Sequence, residues 1–289
     1  MDVARTLART AEKLAEKARK GKLSVDDLSA RVPWLCQQIL RDAETTGLFD
    51  LWTDSSNFDE LANVSIVEPG ILSAIGDLAR LPLGSLIVHA GLQHTYGYLL
   101  STIKTRFGYK RDRWVSPMLE AGFGLPSDTL GPNPSEGTLL CNSTLFAGKI
   151  AFRGDEASLR RIRGIAPAAA QAVRTIIPRR FEHKRIIETV PIRDSAGRFG
   201  SVRIQTDLVP FPYLVEGCDE NTLLVYSISN SSHSGARLTT LFPIAPAFLA
   251  ELLHPDRFGN KVEIRARFNA HVPEFAGKTV IGRRTMTSF

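Results

Sequence analysis

This sequence has few cysteines, no long apolar run and only a small excess of positive charge. Only 3 cysteines occur among 289 residues, and none belongs to a CxxC pair, which argues against a disulfide framework or a zinc ribbon. No stretch supplies the roughly 20 apolar residues that a membrane-spanning helix needs. The first residues show no apolar stretch followed by a small-residue cleavage site. We therefore expect a cytoplasmic protein with no membrane partner.

The charge balance and the missing motifs restrict the function further. With 36 Lys+Arg against 30 Asp+Glu, the net charge is only +6, which suits many anions and identifies none. The glycine-rich nucleotide fingerprints, HExxH, GxSxG, an EF-hand loop and CxxCH are all absent from the sequence. His89 and His94 are five residues apart, which on a helix turns their side chains about 140° from each other and disfavours a shared metal.

Apolar residues recur at helical spacing through the first half of the chain. This periodicity predicts amphipathic helices, and Ser24 with Asp27 has the spacing of a capping box at the start of one of them. The predicted helices cover residues 3–18, 33–47, 71–81, 98–108, 139–152 and 156–177, and one more helix is predicted to start at Ser24. Residues 85–91 fit a buried strand and a buried helix equally well. Frequent glycine and proline predict an ordered loop over residues 122–137.

The pattern changes after Pro178, where short segments rich in β-branched residues begin. They predict four strands, over residues 186–190, 202–206, 223–228 and 237–242. A helix over residues 247–253 and a last strand over residues 262–268 are predicted to follow. Helices first and strands later, without βαβ alternation, predict an α+β fold with a helix-rich N-terminal half and a strand-containing C-terminal part. We expect a single domain over 1–289, with a helical part (1–80), a helical pocket-forming part (81–177) and a strand-containing part (178–289).

The densest group of side chains that are costly to bury lies between positions 89 and 114. It combines imidazoles, a phenol, an indole and cations: His89, His94, Tyr96, Arg111, Arg113 and Trp114. Histidines in an apolar run are costly to bury unless their ring nitrogens find hydrogen-bond partners. Two interpretations remain open, a core-packed helix with satisfied histidines and a solvated basic end, or the wall of a functional pocket.

Two further segments combine a histidine with arginines. His183 follows Arg179 and Arg180. This segment is either a solvated surface turn or a site where arginines neutralise the carboxylates of a ligand. His233 and Arg237 lie in or beside a loop rich in serine, which is either a plain hairpin connection or a place for an acid, a base or an anion donor.

Four strings carry a resemblance to a known family: residues 95–99 (TYGYL), 107–115 (FGYKRDRWV), 137–142 (GTLLCN) and 237–243 (RLTTLFP). Over about residues 85–275 the chain resembles the histidine-ligated haem-dependent tyrosine hydroxylases of antibiotic biosynthesis. The resemblance implies an oxidoreductase that binds haem b and hydroxylates the ring of L-tyrosine or a related aromatic amino acid with hydrogen peroxide or dioxygen. Some relatives attach haem through a His-xxx-Cys pair. No histidine stands four residues before a cysteine in this chain, so the haem would be non-covalent.

The same resemblance assigns roles to the candidate residues. His89 would be the distal histidine, with His94 and Tyr96 beside it as catalytic residues, and His183 would be the axial iron ligand, with His233 as the alternative. The remaining candidates would bind the haem propionates or line the pocket: Arg111, Arg113, Trp114, Arg179, Arg180 and Arg237. The N-terminal helices lie outside the resemblance, and their apolar faces leave two roles open, the active site or a homodimer interface.

Two other functions remain open from the residues themselves. A metal-independent ribonuclease or other nucleic-acid phosphodiesterase would use two histidines with basic residues, and the chain offers His89, His233, Lys104 and Arg237. The small charge excess and the lack of aromatic RNA-binding strings count against a nucleic-acid partner, so this function ranks second. The third function is a binding protein for a small anion, without catalysis, in which the loop over residues 122–137 closes a pocket.

Overall fold

Helices dominate the first half of the chain and strands its last part, so the α+β prediction is confirmed. The computed structural model describes residues 3–59, 63–82, 84, 86–105, 108–114, 118–165, 184–193, 199–215, 218–230, 235–244, 246–253, 270–272, 278–281 and 284–287. Among these residues, no helix combines the length and the apolar character that crossing a bilayer requires.

The N-terminal part packs four helices around one core: α1 (Val3–Arg19), α2 (Val25–Arg31), α3 (Pro33–Glu44) and α4 (Pro69–Ala79). The predicted capping box is confirmed, because the Asp27 backbone N–H donates to Ser24 Oγ and the Ser24 N–H donates to the Asp27 carboxylate, both at 3.2 Å. Pro33 takes the first turn of α3, where its missing N–H costs nothing. Local signals therefore define these helices well.

The ambiguous segment before position 92 contains both a strand and a helix start. Strand β1 (Asp54–Ser56) pairs antiparallel with β2 (Ile87–His89), after which the chain enters α5 (Ala90–Leu92) and a π-helical turn (Gln93–Gly97). The turn is anchored by Gln93, whose side-chain oxygen accepts a hydrogen bond from Ser55 and whose amide donates to Asn57 at 3.2 Å. A buried polar side chain thus ties the turn to the strand beside it.

The predicted helix over residues 98–108 is wrong. Helical structure ends at residue 99, and two short strands form a hairpin instead, β3 (Lys104–Thr105) and β4 (Gly108–Tyr109). The Ser101 hydroxyl donates to the Ile66 carbonyl at 2.6 Å and accepts from the Ile103 N–H at 3.4 Å, so a side chain competes for backbone groups. The β-branched residues that follow Ser101 favour the extended chain.

Four helices follow, of which α8 is the central one: α6 (Lys110–Trp114), α7 (Met118–Phe123), α8 (Leu139–Ala151) and α9 (Glu156–Ile165). The predicted loop before α8 is confirmed, and the Thr138 hydroxyl caps the helix by accepting from the Cys141 N–H at 3.0 Å. Nearly every residue of α8 is buried. The predicted continuation of α9 over residues 166–177 lies outside the described residues.

The C-terminal part is an antiparallel meander in the order β5 (Lys184–Arg193), β6 (Phe199–Val215), β7 (Cys218–Asn230) and β8 (Arg237–Ile244). The four predicted strands are confirmed and most run longer than predicted. Helix α8 packs on β6, β7 and β8, and helix α10 (Pro246–Leu253) follows the sheet. Strands β9 (Ala270–Val272), β10 (Lys278–Ile281) and β11 (Arg284–Thr287) extend the β1–β2 pair. The strand predicted over residues 262–268 lies outside the described residues.

Candidate functional site

His89 is buried and uses both ring nitrogens inside the protein. Its Nδ1 accepts from the Leu92 N–H at 3.2 Å, so Nε2 carries the proton and faces the Phe49 carbonyl at 3.1 Å. Burial lowers the pKa of His89, and the Phe49 carbonyl only partly opposes this effect. In this arrangement His89 is a neutral helix cap whose nitrogens already have partners.

His94 lies deeper in the same segment, within the π-helical turn. Its Nδ1 is 3.0 Å from the Thr240 hydroxyl on β8, and its ring packs on Tyr98 with 4.8 Å between centroids. Burial, followed by the positive charge of Lys110, lowers the pKa of His94 to about 3. His94 is therefore neutral at physiological pH and joins the turn to the sheet.

Tyr96 belongs to a buried polar cluster that links three elements. Its hydroxyl donates to Asp42 Oδ2 on α3 at 2.5 Å and accepts from the Leu140 N–H on α8 at 3.4 Å, while Thr138 donates to the other Asp42 oxygen. Burial raises the pKa of Asp42 to about 7, although the hydrogen bonds from Thr138 and Tyr96 oppose the shift. Burial also raises the pKa of Tyr96, so its hydroxyl stays protonated and structural.

The basic candidates that the structure describes lie on other elements: α6, β3 and β8. The Arg111 guanidinium is buried, donates to the Ser101 carbonyl at 2.9 Å and stacks on Tyr109 at 4.2 Å. Arg113 and Trp114 belong to α6, and Lys104 is exposed on β3. Four candidates lie outside the described residues: Arg179, Arg180, His183 and His233.

A cleft opens where the C-terminal end of α8 meets one face of the meander. Its volume is about 240 Å³, and its lining includes Arg153, Arg185 and Arg203, together with Ser227 and Ser229. The strand register places Arg203 opposite Ser229 on the neighbouring strand, with their side chains on the same sheet face. Residues from three strands and one helix end thus line a single concave site.

Arg185 forms the structural wall of this cleft. Its Nε donates to the fully buried Asp207 at 2.7 Å, and its Nη2 donates to the Ile150 carbonyl at the end of α8 at 2.8 Å. Gln205 donates to the Ala151 carbonyl at 2.5 Å and to Asp207 at 2.8 Å. These bonds satisfy the helix carbonyls and neutralise Asp207, so Arg185 is committed to the protein.

Among the described lining residues, Arg153 and Arg203 are the two exposed cations. Asp155 shares the lining with them, and its carboxylate caps α9 by accepting from the Ala157 and Ser158 N–H groups, both at 3.1 Å. Gly235, at the start of the chain leading into β8, also lines the cleft. Arg237 begins β8 opposite Ile228, which is itself a lining residue.

The cleft leaves no compact motif in the sequence because its cations are scattered along the chain. Arg153 follows a helix, whereas Arg203 is in the middle of a strand about 50 positions later. One signal was present, since Arg203, Gln205 and Asp207 occupy every second position of a β-branched segment and so place polar groups on one face of a strand. Recognising the site would still have required the register of the sheet.

The described candidates for the haem site already have partners within the protein. Both nitrogens of His89 are engaged, His94 is enclosed in the core, and Arg111 donates to a backbone carbonyl. No three His, Cys, Asp or Glu side chains of the described part of the chain are placed to hold a metal ion. Both candidate axial ligands, His183 and His233, lie outside that part, so haem binding stays a prediction, checked by the absorption spectrum of protein produced with haem precursor.

The comparisons add no relative to this picture. No family model matches the chain, and no match was found among curated proteins or solved structures. The function must therefore be inferred from the chemistry of the cleft and of the buried clusters.

Proposed function

We propose that the protein binds the sugar–phosphate backbone of single-stranded RNA in the cleft at the end of α8. The observation that carries this proposal is the pairing of two exposed arginines, Arg153 and Arg203, with the hydroxyls of Ser227 and Ser229 in one concave site. The third arginine, Arg185, is neutralised by Asp207 and supports the wall. The cleft thus offers donors to an anion.

The chemistry of a phosphodiester suits these donors. A guanidinium presents N–H groups in a rigid fork that matches the two non-bridging oxygens of a phosphate. A volume of about 240 Å³ is below the roughly 300–1,000 Å³ of typical small-molecule pockets. The site therefore suits one phosphate with its sugar better than a large planar cofactor.

Metal-independent cleavage of the bound strand is the reaction we assign to this site. It requires a base that deprotonates the ribose 2′-hydroxyl and an acid that protonates the leaving oxygen, while cations stabilise the charge that develops on phosphorus. His89 is committed to capping, so His233 remains of the two histidines considered for this reaction: its imidazole takes the proton of the 2′-hydroxyl, and the imidazolium returns that proton to the leaving 5′-oxygen. His233 lies outside the described residues, and Gly235, two positions later, lines the cleft.

The test compares two double variants that remove the same charge. In Arg153→Gln/Arg203→Gln the cleft loses its exposed cations, whereas Arg160→Gln/Arg163→Gln removes two exposed cations of α9 outside the lining. We expect the cleft variant to bind a fluorescent 12-nucleotide RNA about tenfold more weakly and to lower the salt slope by about 1.4, the amount for two contacts to a single strand. Equal weakening by both variants would show that binding is non-specific.

Cleavage is measured separately from binding. The wild-type chain and His233→Ala are incubated with the same RNA in excess EDTA, and the products are separated by length. We expect fragments from the wild-type chain and intact RNA from the variant. Binding without cleavage by the wild-type chain would make the protein a binding module and remove the catalytic assignment.

A further inference from the structure

Asp155 is an acidic residue in the lining of a cleft that otherwise presents donors. Its two oxygens receive three hydrogen bonds, from the Ala157 and Ser158 backbone at 3.1 Å and from the Ser158 hydroxyl at 2.6 Å. Arg203 lines the same cleft and contributes a favourable Coulomb interaction with this carboxylate. The acid is therefore held in place within the lining that it shares with Arg203.

The Asp155 side chain is also tied to the chain segment that enters β8. Ser158 Oγ, which donates to Asp155, accepts from the Ala236 N–H at 3.3 Å. A Cβ atom at Gly235 would lie 2.8 Å from the same Ser158 Oγ, so this approach requires glycine. Two sides of the cleft are thus joined through the group that carries the negative charge.

We propose that Asp155 sets the anion selectivity of the cleft by partly neutralising Arg203, so that only an anion reaching Arg153 and Arg203 together binds well. This inference rests on the proposed function, because it concerns the same site. A chloride ion contacts one cation at a time and must compete with Asp155 for Arg203. A phosphodiester presents two oxygens and engages both arginines.

The ionisation of Asp155 supports this role. Burial raises its pKa, but the hydrogen bonds from Ser158 and Ala157 and the charge of Arg203 outweigh burial, and the net pKa is below the usual value for aspartate. The carboxylate therefore stays charged across the neutral range. Its effect on the cleft does not vary with pH there.

The test removes the charge and keeps the helix cap. In Asp155→Asn the amide oxygen still accepts the N-terminal N–H groups of α9, because asparagine is a favoured capping residue. Losing one negative charge from the lining of the cleft should tighten binding of the 12-nucleotide RNA about three- to eightfold at low salt. Chloride affinity, measured by displacement of the RNA, should rise by a larger factor than RNA affinity, so the selectivity for RNA over chloride should fall in the variant.

Glu156→Gln is the matched control, since it makes the same change in net charge at the next position. Glu156 pairs with Arg163 at 2.8 Å, is exposed, and does not line the cleft. We expect its RNA affinity to stay within about twofold of wild type because the charge is screened by solvent. Asp155→Ser, which also retains a capping oxygen, replaces Asp155→Asn if that variant does not fold.

The outcomes separate the two proposals. Tighter binding by Asp155→Asn, but not by Glu156→Gln, supports the role of Asp155. Unchanged or weaker binding by a folded Asp155→Asn or Asp155→Ser chain overturns that role and leaves RNA binding standing. If the wild-type chain binds no RNA, the proposed function fails and the role of Asp155 fails with it.

Discussion

The histidine segment, residues 89–98, and the α8 cleft use polar side chains in opposite ways. In the histidine segment, His89, His94 and Tyr96 all point their polar atoms at partners inside the protein. In the cleft, Arg153 and Arg203 are exposed and line a concave surface. The histidine segment uses its polar groups to stabilise the fold, and the cleft leaves its polar groups available to a ligand.

This difference shows that chemically reactive residue types do not by themselves mark a site. A buried polar group must be hydrogen-bonded or it destabilises the fold, so imidazoles and phenols in an apolar run are as consistent with a satisfied core as with catalysis. Arginines in unremarkable sequence surroundings can converge through the topology of a sheet. Variants in the two regions should therefore separate stability from binding.

The largest effect is expected at Tyr96, which is fully buried. Tyr96→Ala leaves a cavity and removes a donor to Asp42, so we expect the free energy of unfolding to fall by about 3–5 kcal/mol, measured by urea denaturation at pH 5. Tyr96→Phe keeps the ring and should cost only about 1–2 kcal/mol. If Tyr96→Ala were as stable as wild type, the segment would not be structural and the contrast with the cleft would be lost.

The pH dependence of stability should reveal Asp42. Its pKa is about 7 in the folded protein, above the 3.8 of an ordinary aspartate, so between these values the folded state binds more protons than the unfolded state. The stabilisation is complete below about pH 4 and is lost as the pH rises to about 7. The shift of about three units corresponds to roughly 4 kcal/mol.

The measurement needs a reference because His94 acts in the opposite direction. Its pKa of about 3 means that the folded state holds it neutral, and stability from this group is lost as the pH falls below 6.5. The difference in unfolding free energy between wild type and Asp42→Asn cancels the His94 contribution. We expect that difference to decrease from pH 4 to pH 7, and a flat difference would contradict the buried position of the carboxylate.

Gly91 provides an intermediate effect within the histidine segment. A Cβ atom there would lie 2.9 Å from two ring atoms of Trp52 and 3.0 Å from His89 Cε1. Trp52 cannot move freely, since its Nε1 donates to the Thr144 hydroxyl at 2.8 Å. We expect Gly91→Ala to cost about 1–3 kcal/mol through overpacking, measured by thermal and urea unfolding.

Gly164→Ala is the control for this substitution, because nothing lies within 4 Å of a Cβ atom at that position of α9. Alanine is the better helix former, so the control should match wild type or exceed it by up to about 1 kcal/mol. Equal stability of the two variants would show that close packing at Gly91 contributes nothing.

The elements that could be predicted from sequence are those that local signals define. The helices α1, α2, α3 and α8 follow apolar periodicity and their capping residues, and the β-branched segments mark the meander. The failure over residues 98–108 arises because Ser101 bonds to Ile66, far away in sequence. A tertiary hydrogen bond of this kind cannot be detected from the apolar periodicity of the sequence.

The sites were harder to predict than the elements. His89 has one local partner, the Leu92 N–H, but the other partners of His89, His94 and Tyr96 include Phe49, Thr240 and Asp42, which are distant in sequence. Whether a histidine is satisfied or free depends on such distant contacts. The cleft depends in addition on the register between β6 and β7, because a shift of one residue would move the side chains of one strand to the other face of the sheet.

The smallest effect on stability is expected at Arg153, which makes this position the most direct test of the difference between the cleft and the histidine segment. The Arg153 side chain is exposed, so Arg153→Gln should change the free energy of unfolding by no more than about 0.5 kcal/mol. The same variant should bind the 12-nucleotide RNA about threefold more weakly, measured by fluorescence anisotropy beside Arg160→Gln as the control for charge. A loss of more than about 1 kcal/mol in stability would place Arg153 with the structural residues. The cleft would then resemble the histidine segment, with its cations serving the fold, and an RNA phosphate would have only Arg203 to bind.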